Sequence, residues 1–93
     1  MSAQQSEAPP IVMYSTAWCG YCQRARNLLE RKGAAVHEIK VDEDPQAREA
    51  MLNRSGGRRT VPQIFIGERH VGGCDDLYAL DRRGELDKLL TAA

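Results

Sequence analysis

Cysteine is scarce in this chain, three in 93 residues and so an odd number. That is too few for the disulfide framework that staples small secreted domains. Aromatic residues are as thin, with one Trp, one Phe and three Tyr. Net charge is absent, since 13 basic residues balance 13 acidic ones. No long-range field therefore draws the chain to nucleic acid or to an anionic membrane surface. No apolar run approaches the ~20 residues of a membrane span. The first ten residues, Met1–Pro10, are polar and end in Pro9-Pro10. They lack the basic-then-apolar order of a secretory signal and are expected to form a short disordered lead-in. Together these absences point to a reducing cytoplasm, where a close pair of cysteines is a catalytic or metal-binding device.

What is present suits one small domain, expected over residues 11–93. Apolar residues make up 42% of the chain, typical of a globular protein. A chain of this size buries a modest core but needs no staple. Ten of the 13 basic residues are Arg, the side chain that grips carboxylates with two parallel hydrogen bonds.

The apolar spacing gives an α/β reading. Ile11 to Tyr14 is a short apolar run, predicted to be a buried strand. From about Cys22 to Lys32 the period turns helical, with Cys22, Ala25, Leu28 and Leu29 along one face and Gly33 as a stop. Val36 to Val41 reads as a second strand, with Val36, Ile39 and Val41 as its apolar members. Asp44-Pro45 is a helix start, Asp as cap and Pro in the first turn; Ala47, Ala50 and Met51 supply its apolar face. Gln63 to Ile66 and Arg69 to Val71 read as strands around a turn at Gly67-Glu68. Asp75 is predicted to cap a helix running to Arg82, and Leu86, Leu89 and Leu90 mark a last one. The opening βαβ unit makes its two strands parallel with a right-handed crossover, and the hairpin adds antiparallel strands. The expected product is a four-stranded mixed sheet flanked by helices.

The chemistry rests on Cys19-Gly20-Tyr21-Cys22, which lies between a strand and a helix. Cys19 falls at the helix N-terminus, where unpaired N–H groups and the helix dipole favour an anion. A thiolate there is a nucleophile. Cys22 lies in the first turn on the apolar side, so it is the more buried thiol. That asymmetry makes Cys19 the attacking cysteine and Cys22 the resolving one. Two other readings stand beside this one. The pair is half a zinc site if four ligands converge, but only Cys74, His37 and His70 remain, none at a paired spacing. Otherwise the two are inert core cysteines.

Three segments carry a family resemblance: Tyr14-Ser15-Thr16-Ala17-Trp18-Cys19-Gly20-Tyr21-Cys22, Thr60-Val61-Pro62-Gln63-Ile64-Phe65-Ile66, and Gly72-Gly73-Cys74-Asp75-Asp76-Leu77. In this order they resemble the signature segments of the small bacterial-type glutaredoxins, over about residues 11–91. The resemblance implies the thioredoxin fold and a glutathione-dependent thiol–disulfide oxidoreductase that reduces protein disulfides and glutathionylated proteins. It implies Pro62 in the cis form facing the cysteines. The Val61 backbone would pair with the cysteinyl part of glutathione, with Thr60 beside it and Tyr21 as a groove wall. Gly73 would allow close approach, and the helix opened by Cys74 and Asp75 would hold the γ-glutamyl group. Arg58 or Arg59, Arg59 being the candidate carried forward, would meet the glycine carboxylate. Cys74 itself reads as a packed small residue, and Trp18 as a cover for the site's edge.

The chain departs from the family pattern at two places. Gly20 stands where many dithiol members have proline, and Thr16 where many have lysine. The first change implies an alternative: some members with glycine there bind a [2Fe–2S] cluster between two subunits, one thiolate each, here Cys19, with glutathione completing the ligands. The protein is then a monomer as a thiol exchanger, or a cluster-bridged dimer. A thioredoxin served by a flavoprotein reductase is a third reading, which Tyr21 and the Gly72–Asp75 segment oppose.

Overall fold

The structure, a computed structural model, describes residues 9–91. In chain order its elements are β1 (Ile11–Ser15), α1 (Gly20–Arg31), β2 (Val36–Lys40), α2 (Pro45–Arg54), β3 (Gln63–Ile66), β4 (Arg69–Gly72), α3 (Cys74–Arg82) and α4 (Glu85–Thr91). The strands form one sheet in the order β2-β1-β3-β4. β1 runs parallel to β2 and antiparallel to β3, and β3 is antiparallel to β4. This is the mixed four-stranded sheet expected of a thioredoxin fold.

Strand alternation sorts the core into two layers. Ile11 and Met13 of β1 and Ile64 and Ile66 of β3 face α1, α3 and α4, meeting Ala25, Leu28, Leu29, Leu77, Leu80 and Leu86. Tyr14 and Phe65 face the other way and meet Met51 of α2, with Val41. Burying one such side chain contributes about 1.5–3 kcal/mol, so the larger layer on the α1/α3 face dominates the packing.

Along β2 and into Val41, strand parity divides the apolar residues between the two layers. Val36 packs on the α1/α3 layer, whereas Ile39 and Val41 pack on the α2 layer. Residues 36 and 39 differ by an odd number, so they cannot share a face. Val36 shares its face with Glu38 instead.

Local signals explain most boundaries. The Asp44 carboxylate accepts from the N–H groups of Gln46 (3.0 Å) and Ala47 (3.3 Å), with Pro45 at the start of α2. At α3 the cap is Gly73, not Asp75 as expected from the sequence. The Asp76 carboxylate reaches back to accept from Gly73 N–H at 2.9 Å. Gly72, at φ +114°, needs its hydrogen, because a Cβ there would run into the Asp76 carboxylate. The expected lead-in falls largely on residues 1–8, outside the described residues. The Pro10 carbonyl accepts from Gly67 N–H at 2.8 Å, so Pro10 lies against the β3–β4 turn. No described helix is long and apolar enough to cross a membrane.

Candidate functional site

Cys19 is the N-cap of α1 and has extended backbone geometry. Its Sγ accepts from Cys22 N–H at 3.3 Å, and the thiol points at the Val61 carbonyl, 3.7 Å away. Cys22 is fully buried while Cys19 is partly open. Both are free thiols. Burial, followed by the hydrogen bond to Cys19, pushes the Cys22 thiol up to about 12. The asymmetry expected from the motif is therefore present in the geometry: the outer sulfur receives a helix N–H, and the inner one is sealed in the core. As for zinc, no cluster of three or more His, Cys, Asp or Glu able to hold a metal occurs among the described residues.

Behind Cys22 sits a polar group that the sequence reading passed over. Arg26, one turn along α1, grips Glu38 of β2 through two bonds of 2.8 and 2.6 Å. Ser15, at the end of β1 and fully buried, donates to the same carboxylate at 2.5 Å. The Arg26 guanidinium holds the Glu38 carboxyl below the usual carboxylate range, and the Ser15 hydroxyl adds to this. A depressed carboxyl stabilises the fold above its unfolded value of ~4.3 and loses that contribution as pH falls through the folded value. Glu38→Gln should thus cost about 1–3 kcal/mol at pH 7, the worth of hydrogen bonds to a charged group. Its deficit against wild type should shrink as pH drops below ~4. Urea unfolding at the two pH values checks this, and an equal deficit at both would contradict it.

Beside the cysteines lies an open groove of about 400 Å³, lined by Tyr21, Arg58, Thr60, Val61, Pro62, Gly73, Cys74, Asp75 and Asp76. The structure thus gathers eight expected residues there or next to it: Tyr21, Thr60, Val61, Pro62, Gly73, Cys74 and Asp75, with Cys19 against Val61. The Val61–Pro62 bond is cis.

One expected residue is displaced. Arg58 lines the groove and Arg59 does not. The cause is local: Arg58 N–H donates to Ser55 Oγ (3.0 Å), and Ser55 Oγ donates back to the Arg58 carbonyl (3.3 Å). That pair anchors the Arg58 backbone at the end of α2. The guanidinium then stands 3.8 Å from Asp76. Asp76 is a groove residue to which the sequence reading gave no role; its place three residues after Gly73 was the signal available.

Cys74 is buried in the core layer under α3. Burial pushes its thiol up, so it stays protonated and packs as a small apolar residue. Trp18 (96% exposed) and Tyr21 (58% exposed) are the large apolar side chains left open among the described residues, and they flank Cys19. Arg24 lies 5.9 Å from the Tyr21 ring centre and the same distance from that of Tyr78.

Comparison with known proteins agrees with this geometry. The glutaredoxin family model matches residues 11–71. A glutaredoxin of Pseudomonas aeruginosa is 61% identical over 84 residues, covering 90% of this chain and 99% of that protein. The buckwheat glutaredoxin–glutathione complex superposes with a TM-score of 0.81 at 37% identity, over 95% of this chain and 82% of that one. A solved structure from work on metal binding of glutaredoxins gives a TM-score of 0.70 at 50% identity, over 91% of each chain. With its paired thiols at the start of α1 and its cis-proline loop beside them, the chain belongs to the glutaredoxin family of thiol–disulfide oxidoreductases.

Proposed function

We propose that this protein uses glutathione to reduce protein disulfides and glutathione mixed disulfides through Cys19 and Cys22. The observation that carries the reading is the double role of Val61. Its carbonyl faces the Cys19 thiol at 3.7 Å, and the same residue lines the groove. A tripeptide laid along Val61 as an added strand brings its own sulfur to Cys19. The remaining groove matches the ends of glutathione. The N–H groups at the start of α3, at Cys74 and Asp75, suit the γ-glutamyl carboxylate, and the Asp75 carboxylate suits its amine. Arg58 supplies the cation for the glycine carboxylate. Thr60, Pro62, Gly73 and Tyr21 form the walls. A volume of about 400 Å³ lies within the ~300–1,000 Å³ usual for small-molecule sites. The buckwheat complex supports the same ligand class.

The cycle balances as two exchanges. The Cys19 thiolate attacks the glutathionyl sulfur of a protein mixed disulfide, forming Cys19–glutathione and releasing the protein thiolate. A second glutathione thiolate attacks that disulfide, regenerating Cys19 and leaving oxidised glutathione. With a protein disulfide, Cys22 displaces the first product and closes an intramolecular disulfide, which two glutathiones then reduce. Such a cycle suits a reducing compartment, the cytoplasm expected from the sequence. The test is a glutathione-dependent assay on a glutathionylated peptide. Saturable turnover with oxidised glutathione as product is expected; turnover indifferent to glutathione would reject the reading.

A second reading is a [2Fe–2S] cluster shared by two copies. Gly20 leaves open space beside Cys19, with nothing within 4 Å of where a Cβ would stand. The exposed Trp18 and Tyr21 provide an apolar rim for a facing copy. Cys19 and a glutathione held in the groove would be the thiolate ligands from each copy, and the cluster would supply electron or cluster transfer. Protein incubated with iron, sulfide and glutathione should then turn brown and run as a dimer. A colourless monomer would exclude this reading.

A further inference from the structure

The loop from residue 58 to 62 belongs to no helix or strand, yet it forms one wall of the groove. Its position must come from side-chain anchors. Ser55 provides one, at Arg58. The other is a buried amide that the chemistry above does not use.

Gln63 is fully buried at the start of β3. Its Nε2 donates to the Thr60 carbonyl (2.9 Å) and to the Thr60 hydroxyl (3.2 Å). Its Oε1 lies 2.7 Å from His70 Nε2. The donor directions follow from the chemistry of each group. The Thr60 carbonyl can only accept, so the nitrogen of Gln63 must face it. Oε1, which can only accept, is then turned to His70, so His70 Nε2 carries a proton. The order runs one way, from His70 to Gln63 to Thr60. The imidazole is itself fixed by stacking on the buried Phe65, with ring centres 4.7 Å apart and planes 21° from parallel. Thr60 Oγ has one lone pair filled by Gln63, so its own proton is left to donate. Thr60 lines the groove.

We propose that His70 and Gln63 are positioning residues that fix Thr60, so that its hydroxyl donates to the groove ligand. The proposal rests on glutathione as the groove's occupant. A buried amide with every demand met holds one geometry, and removing a single partner leaves a costly orphan.

The test is a double-mutant cycle read as a split between KM and kcat. His70→Phe keeps an aromatic ring for Phe65 and removes the donor to Gln63. It should raise the KM for glutathione about three- to tenfold, the span of one net hydrogen bond. The kcat should stay within about twofold and Cys19 alkylation by iodoacetamide should keep its wild-type rate, because the cysteines are untouched. Thr60→Val should raise KM similarly, and the double variant should be no worse than the poorer single one. Multiplicative effects in the double variant, or an unchanged KM in His70→Phe, would overturn the proposal. If His70→Phe does not fold, Gln63→Met takes its place in the same cycle, with the same outcomes. The wild-type arm separates the two ideas. Wild-type protein that neither saturates with glutathione nor binds S-methylglutathione defeats the functional reading and the proposal with it. Saturation in wild type with no KM effect in the variants defeats the positioning role alone.

Discussion

Replacing Cys19 by serine is expected to lower turnover on a glutathione mixed disulfide at least about a thousandfold, on the order of 4 kcal/mol of activation free energy. The substitution changes one atom at a site whose surroundings stay in place. Cys22 N–H would still find an acceptor at the N-cap, since serine is itself a good capping residue. What is lost is the thiolate, the only form of the side chain that attacks a disulfide. Neither remaining cysteine can take over. Cys22 is fully buried and its thiol is pushed up to about 12, and Cys74 is buried in the core under α3. The glutathione-dependent assay measures the effect, with far-ultraviolet circular dichroism confirming the fold. Retention of more than about one-tenth of wild-type kcat/KM, only ~1.4 kcal/mol of lost stabilisation, would show that Cys19 is not the nucleophile.

The placement of Cys19 at the start of α1 was legible in the sequence, because periodicity and capping are local. Cys22, Ala25, Leu28 and Leu29 recur at helical spacing, and the same four are the buried residues of α1. Asp44-Pro45 announces α2 through two neighbouring residues, and the structure shows both in their expected roles. The apolar runs of β1 and β3 are buried on both faces, as strands inside a covered sheet must be.

What was not legible has a different physical origin. Val36, Ile39 and Val41 are alike in type, but type alone does not say which of the two layers each one meets; strand parity sends Val36 to one and Ile39 and Val41 to the other. Asp75 and Asp76 are chemically the same candidate cap. Which one reaches Gly73 N–H depends on where the chain leaves its extended path, and Gly72 at φ +114° decides that. Arg58 and Arg59 are likewise identical in type. The loop that carries them has no period to read, and the choice is made by Ser55, whose hydroxyl fixes the backbone of Arg58 alone. The Glu38–Arg26–Ser15 group was hidden because its members come from three elements and lie up to 23 residues apart.

The inner cysteine should separate the two reactions. Cys22→Ser is expected to keep at least about half of wild-type deglutathionylation and to lower protein-disulfide reduction about tenfold or more. In deglutathionylation the intermediate is Cys19–glutathione. Cys19 is partly open, so an external glutathione reaches its partner sulfur without help from Cys22. In protein-disulfide reduction the intermediate ties Cys19 to a bulky chain, and an external thiol competes poorly. Cys22 is already in place, with its N–H 3.3 Å from Cys19 Sγ. Its acidity opposes it: burial pushes this thiol up, so it is protonated around neutral pH. Proximity more than offsets this, since well-oriented intramolecular groups reach effective concentrations of ~10⁵–10⁸ M against millimolar glutathione. The order of events helps further. The hydrogen bond to Cys19 and the Cys19 charge both push the Cys22 thiol up. Once Cys19 is consumed in a mixed disulfide that charge is gone, and burial is the main remaining obstacle. Cys22 is thereby restrained until the outer sulfur has reacted. Loss of both activities together in Cys22→Ser would overturn this assignment of roles.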